Sequence, residues 1–173
     1  MNKLQPDPFA ELIWNNKAIP WCKHFLWLGH HDRLPTSALL HRRCIIDMPF
    51  CAYCGDLEDQ EHLFLRCPRA RRVWRAIGCP VVPFLPSFRH LWEVPELIEG
   101  NSARISSAII TALLWSIWKT RNALIFEASY TPTDQTVKEA AACMGLWSTA
   151  RKGMMPHPCF GGVIDFSLLS TTH

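Results

Sequence analysis

Three cysteines and one histidine between residues 51 and 67 have the types and the spacing of zinc ligands. They are Cys51, Cys54, His62 and Cys67, in the pattern Cys-x2-Cys-x7-His-x4-Cys. Structural zinc takes four tetrahedral nitrogen and sulfur ligands, and a Cys-x2-Cys turn places two thiolates on one side of the metal. Because all four positions are protein ligands, no position is left for a catalytic water, and we expect one structural zinc ion. Reduced thiols beside a surface histidine are the alternative.

The residues around the ligands indicate how the backbone must run. Gly55 directly follows the second cysteine, where the turn needs a positive φ that glycine adopts without steric cost. His62 and Cys67 are five residues apart, which in an unbroken α-helix separates their side chains by about 140°. Both cannot face one metal in that way, so the helix is expected to loosen between them. Pro68 then suits the first turn of a new helix.

Composition favours metal over disulfides for the cysteine cluster. The chain has 173 residues, eight of them cysteine, and its N-terminus lacks the apolar core of a signal peptide. We therefore expect an intracellular protein, nuclear or cytoplasmic, whose thiols stay reduced. Cys44, seven residues before the first ligand, is the only plausible substitute ligand.

Apolar spacing, capping residues and helix breakers predict an all-α fold. Apolar residues make up 49% of the chain, enough for a core. Helices are expected at residues 7–16, 20–30, 36–43, 68–77, 102–128 and 133–152. In the second helix, Trp21, Phe25 and Leu28 fall at i, i+4 and i+7 and are expected to be buried.

Four segments follow from this pattern. They are a zinc-binding module at 8–78, a proline-rich linker with a short helix at 79–100, a helical hairpin at 101–153 and a poorly ordered tail at 154–173. Within the linker, residues 79–86 are expected to be extended, because their prolines exclude a helix interior.

An apolar run at residues 105–118 needs a cover. It has 14 residues and contains Ser106, Ser107 and Thr111, so it is too short to span a bilayer and we expect no membrane partner. Either the final helix or a protein partner is expected to cover this face.

Arginines flank the zinc loop on both sides. The net charge is only +3, so any basic surface must be local. Arginine forks match phosphate oxygens and give salt-dependent affinity, which makes RNA or single-stranded DNA a candidate partner. The alternative is a solvated helix face that balances the loop carboxylates Asp56, Glu58, Asp59 and Glu61. The candidate nucleic-acid-binding residues are Arg42, Arg43, Arg66, Arg69, Arg71, Arg72 and Arg75.

The order and flanking of these motifs resemble a known family. The motifs are Pro20-x2-Lys23-x-Phe25-x-Trp27-Leu28, Arg33-Leu34-x-Thr36-x3-Leu40-x2-Arg43, Cys51-x2-Cys54, Glu61-His62-Leu63-Phe64-x2-Cys67, Trp74 and Trp115-x2-Trp118-x2-Arg121-Asn122-x3-Phe126-Glu127. Together, over residues 10–128, they resemble zf-RVT, the reverse transcriptase zinc-binding domain of plant LINE-type (non-LTR) retrotransposons. The resemblance implies a module that follows a polymerase domain and serves as a nucleic-acid-binding or structural appendage. It also makes a reverse transcriptase a candidate partner for the face at 105–118.

Catalytic machinery is not evident in the sequence. Polymerase chemistry needs clustered aspartates for two metal ions, and the chain has no adjacent Asp-Asp pair. We expect a non-catalytic protein. The alternatives to nucleic-acid binding are a protein-interaction or structural remnant and a degenerate retroelement fragment.

Overall fold

The computed structural model describes residues 7–16, 18–92 and 103–150. Its α-helices are α1 (Pro8–Trp14), α2 (Pro20–His30), α3 (Ser37–Arg42), α4 (Pro68–Ala76), α5 (Ala103–Glu127) and α6 (Thr133–Ala150). A π-helical turn spans His62–Arg66, and two 3-10 turns span Val82–Phe84 and Phe88–Trp92. In these ranges the only β pairing is an isolated bridge between Phe50 and Leu57, so the predicted all-α class is confirmed. The predicted tail at 154–173 lies outside the described residues.

Helix starts follow the capping signals of the sequence. The Asp7 side chain accepts a hydrogen bond from the Phe9 backbone N–H at 3.0 Å and caps α1. Thr36 does the same for α3, accepting from the Leu39 N–H at 3.3 Å. These bonds satisfy donors that the first helical turn leaves without partners. The short N-terminal helices are thereby fixed at the expected residues.

An aromatic cluster joins the zinc region to the C-terminal helices. Phe64 of the π-helical turn has its ring centroid 5.9 Å from Phe25 of α2 and 6.5 Å from Trp118 of α5. Phe88 of the second 3-10 turn lies 5.4 Å from Phe64. All four rings are buried, and such aromatic pairs contribute packing energy beyond the buried area.

Helix α5 is covered within the chain. It packs against α2, the π-helical turn and α6. Ile110, Leu113, Leu114 and Ile117 are each at most 3% exposed, whereas Ile105 near the start of the helix is 46% exposed. The apolar face at 105–118 is therefore mostly buried by other helices of the same chain.

The buried face of α2 differs from the predicted one. Trp21 is 53% exposed, so its predicted burial is wrong. The buried residues, which follow the same helical period from one position later, are Cys22, Phe25, Leu26, Gly29 and His30. Glycine is needed at position 29, because an added Cβ would lie 2.9 Å from the Phe88 ring. The close approach of the two elements thus decides which face turns inward.

The proline-rich stretch at 79–86 was predicted to be extended, and this prediction is wrong for part of it. Val82–Phe84 forms one 3-10 turn, and Val82 and Pro83 are buried. A single turn accepts Pro83 because the first residues of a helix do not need their N–H groups for internal bonds.

In the described part of the chain, no helix is both long and apolar enough to cross a membrane.

Candidate metal centre

The four predicted ligands lie together in space. The ligand atoms of Cys51, Cys54, His62 and Cys67 are all within 4.8 Å of one another. The Cys51 and Cys67 sulfurs are 3.8 Å apart, and the Cys54 sulfur is 3.2 Å from His62 Nε2. Around a tetrahedral zinc, bond lengths of about 2.3 Å to sulfur and 2.0 Å to nitrogen require ligand separations of about 3.5–3.8 Å. The donor set therefore fits zinc. The Cys51–Cys67 separation already has the required value, whereas the Cys54–His62 separation is shorter and must widen around the metal.

A tight turn places the first two cysteines. The Gly55 N–H donates to the Cys51 carbonyl at 2.9 Å, and the Cys51 N–H donates to the Asp56 carbonyl at 2.7 Å. Gly55 has φ of +81°, the positive value that was predicted. Because only glycine reaches this region without a Cβ penalty, the turn depends on it.

The π-helical turn brings His62 and Cys67 to the same side. The Cys67 N–H donates to the His62 carbonyl at 2.7 Å, which is the five-residue hydrogen bond of a π-helix. With this wider turn, residues i and i+5 are close neighbours, which an α-helix would not allow. The structure therefore has the predicted loosening of the helix, and Pro68 begins α4 directly afterwards.

Hydrogen bonds among the ligands shift their pKa values. The hydrogen bond with Cys67 raises the pKa of Cys51 to about 12, and the same contact lowers the pKa of Cys67. The pKa of His62 is raised, mainly by its hydrogen bond with Cys51. A raised pKa favours the protonated thiol of Cys51, and because zinc binds thiolates, metal binding must release this proton.

Solvent reaches one side of the cluster only. Cys51, His62 and Cys67 are buried, whereas Cys54 is exposed. Cys44, the alternative ligand, is an exposed free thiol and does not belong to the cluster. The predicted set of four is therefore the one that the structure brings together.

Substitution of Gly55 by alanine is expected to destabilise the protein by about 1–2 kcal/mol, the cost of a left-handed L-residue. No atom lies within 4 Å of the added Cβ, so the cost comes from the backbone alone. Urea unfolding of the zinc-loaded chain measures it. Gly145→Ala is the matched control, since Gly145 lies inside α6 with similar space around it. That change should stabilise by about 0.5–1 kcal/mol, and equal effects at both positions would contradict the role of the turn.

The predicted arginines do not all lie on the surface. Arg42, Arg43, Arg66, Arg72 and Arg75 are exposed, and Arg71 is half-buried. Arg69 is only 7% exposed, and its guanidinium donates to the Thr136 hydroxyl at 2.7 Å. A buried and bonded guanidinium cannot reach a phosphate chain, so Arg69 is removed from the candidate surface.

The loop carboxylates behave differently from one another. Asp59 accepts two hydrogen bonds from exposed Arg66, both at 3.2 Å, as the charge-balance alternative predicts. Glu58 is fully buried and forms an ion pair with Arg121 of α5. The charge-balance alternative grouped it with the other loop carboxylates, but its partner is 63 residues away. The sequence did offer one signal for this contact. Arg121 lies in α5, a mostly apolar helix, and a buried charge needs a partner of opposite charge.

Residues 1–74 match the family zf-RVT, zinc-binding in reverse transcriptase. No curated protein and no solved structure matches the chain. The matched segment contains all four clustered ligands, so the predicted resemblance is confirmed there as a match to a reverse transcriptase zinc-binding domain. The match and the ligand cluster support a zinc-binding, retrotransposon-related module over residues 1–74. For residues 75–128 the resemblance stays a prediction.

Proposed function

We propose that the protein is a non-catalytic module of a plant LINE-type retrotransposon that holds one structural zinc ion and binds RNA or single-stranded DNA. The observation that carries this proposal is the position of exposed arginines on both sides of the zinc cluster. Arg42 and Arg43 end α3 before the zinc loop, and Arg72 and Arg75 lie on α4 after it. The loop between them ties the two basic stretches into one folded unit.

The surface of α4 supports phosphate contact more than a charge-balanced face does. Arg72 and Arg75 are three residues apart and share one side of the helix. In contrast to Arg66, neither has an ion pair within the described residues. Unpaired guanidinium groups lose little when they bind phosphate, whereas a paired group must first give up its carboxylate.

Replacement of Arg72 and Arg75 by glutamine is expected to weaken binding to a single-stranded oligonucleotide and to flatten its salt dependence. Each lost phosphate contact should reduce the slope of log K against log salt by about 0.7. Fluorescence anisotropy at several salt concentrations measures both quantities. Lys138→Gln is the control, because Lys138 is exposed on α6 and already pairs with Asp134.

Two outcomes would contradict this function. If the wild-type protein binds the oligonucleotide no more tightly than it binds an uncharged analogue, the nucleic-acid role is excluded. Equal salt slopes for the arginine variant and the control would exclude the α4 surface. A protein-interaction role through residues 105–118 has less support, because the chain itself covers most of that face.

A further inference from the structure

Glu58 anchors the middle of the zinc loop to α5. It lies between the second and third ligands, Cys54 and His62. Arg121 Nε donates to Glu58 Oε1 at 2.9 Å, and Arg121 Nη2 donates to the same oxygen. The Ser37 N–H and hydroxyl also donate to it, each at 2.8 Å. One carboxylate oxygen thus joins the zinc loop, the start of α3 and the C-terminal part of α5.

Arg121 uses its remaining donors on the same region. Its Nη1 donates to the Pro35 carbonyl at 3.2 Å and to the Asn122 side chain at 2.8 Å, and its Nη2 donates to the Ser37 hydroxyl at 2.9 Å. The Arg121 and Glu58 side chains are at most 1% exposed. A planar guanidinium with fixed donors therefore defines where the loop sits relative to the helix.

A second anchor holds the part of the loop between the first two ligands. Tyr53 lies between Cys51 and Cys54, and its hydroxyl donates to the Thr120 carbonyl of α5 at 3.2 Å. The Arg69 guanidinium lies 4.4 Å from the centre of the Tyr53 ring, in a cation–π contact. Arg69 in turn donates to Thr136 of α6 at 2.7 Å. The segment between Cys51 and Cys54 and the segment between Cys54 and His62 are thus each bound to α5, and the first is also linked to α6 through Arg69.

We propose that α5 and α6 hold the zinc loop in its metal-binding shape, with Arg121 and Thr136 as positioning residues, so that retention of zinc depends on residues beyond the matched segment 1–74. The contacts reach the loop between its ligands, where they limit how far the ligands can separate. Groups that orient metal ligands from outside the coordination sphere have measurable effects on metal affinity. This inference requires the zinc site but does not require nucleic-acid binding.

The test is the rate at which a chromogenic chelator takes zinc from the full chain. For Arg121→Met we expect release faster by about 10- to 100-fold, because groups that orient ligands change metal affinity by this factor and a weaker hold on the metal speeds its release. Thr136→Val, which keeps the shape of the side chain, should give a smaller acceleration. Lys119→Met is the matched control, because Lys119 is on α5 but pairs with Glu139 of α6. Its release rate should equal that of the wild type.

Two further measurements separate positioning from general loss of structure. Far-UV circular dichroism reports whether each variant is folded, and the ligand-field spectrum of the Co²⁺-substituted protein reports the geometry at the metal. We expect an altered Co²⁺ spectrum in the folded Arg121 variant and an unchanged one in the Lys119 control. If Arg121→Met does not fold, the uncharged pair Glu58→Gln/Arg121→Met replaces it, together with Thr136→Val.

Suppose that the Arg121 variant folds, binds zinc, releases it at the wild-type rate and shows an unchanged Co²⁺ spectrum. That result would overturn this inference and leave the metal site itself unaffected. A wild-type chain that binds no zinc would overturn it together with the metal site. If the protein does not bind the oligonucleotide but the Arg121 variant still releases zinc faster, the inference about the zinc loop holds. Only the proposed nucleic-acid function is then contradicted.

Discussion

Replacement of Cys51 by serine is expected to abolish both zinc binding and the cooperative unfolding transition of the protein. Cys51 is 3% exposed, belongs to the apolar core and lies 3.8 Å from the Cys67 sulfur. Structural zinc contributes about 10–16 kcal/mol in small zinc domains, which is as large as the total stability of about 5–15 kcal/mol of ordinary domains. Loss of the metal should therefore unfold at least the loop and the elements packed on it.

Metal content by mass spectrometry and thermal unfolding by circular dichroism measure this effect. Cys44→Ser is the control, because Cys44 is an exposed free thiol outside the cluster. The Cys44 variant should keep one zinc per chain and the wild-type unfolding midpoint. Equal midpoints for the Cys51 variant and the wild type would contradict a structural role for the metal.

The clustering of the four candidate ligands could be predicted because they are local in sequence. Cys51 to Cys67 span only 17 positions, and the tetrahedral requirement fixes which residue types can occur there. The need for a wider turn between His62 and Cys67 followed from helix geometry alone. The all-α class followed from apolar periodicity, which depends on neighbours within a few residues.

Partners that are distant in sequence could not be predicted from the same signals. Glu58 reads as one of four loop carboxylates, and only the packing of α5 across the loop brings it to Arg121. The burial of Trp21 was mispredicted for the same reason. Two neighbouring faces of α2 are both apolar, and only the packing of another element against the helix decides which of them is buried. Arg69 was more accessible to reasoning. It lies four residues before buried Val73 and therefore on the inner side of α4.

The second large effect is expected for Arg121→Met, which should lower the free energy of unfolding by about 3–5 kcal/mol, the cost of breaking a buried ion pair. The physical reason is the carboxylate that stays behind. Glu58 is 0% exposed, and among the described residues its Oε2 has no hydrogen-bond donor. Without the guanidinium, a buried negative charge keeps only the Ser37 donors. Urea denaturation of the zinc-loaded chain measures the loss.

A double-mutant cycle separates the ion pair from the packing around it. In Glu58→Gln/Arg121→Met the buried charge is gone, so the double variant should be more stable than Arg121→Met alone, with a coupling energy of about 1–3 kcal/mol. Additive effects would show that Arg121 acts through its other contacts, such as the Pro35 carbonyl and the Trp118 ring. The pair is also what joins the zinc loop to α5. A coupling energy in this range would therefore mean that the pair itself stabilises the contact between the loop and α5, although only the first 74 residues match the family.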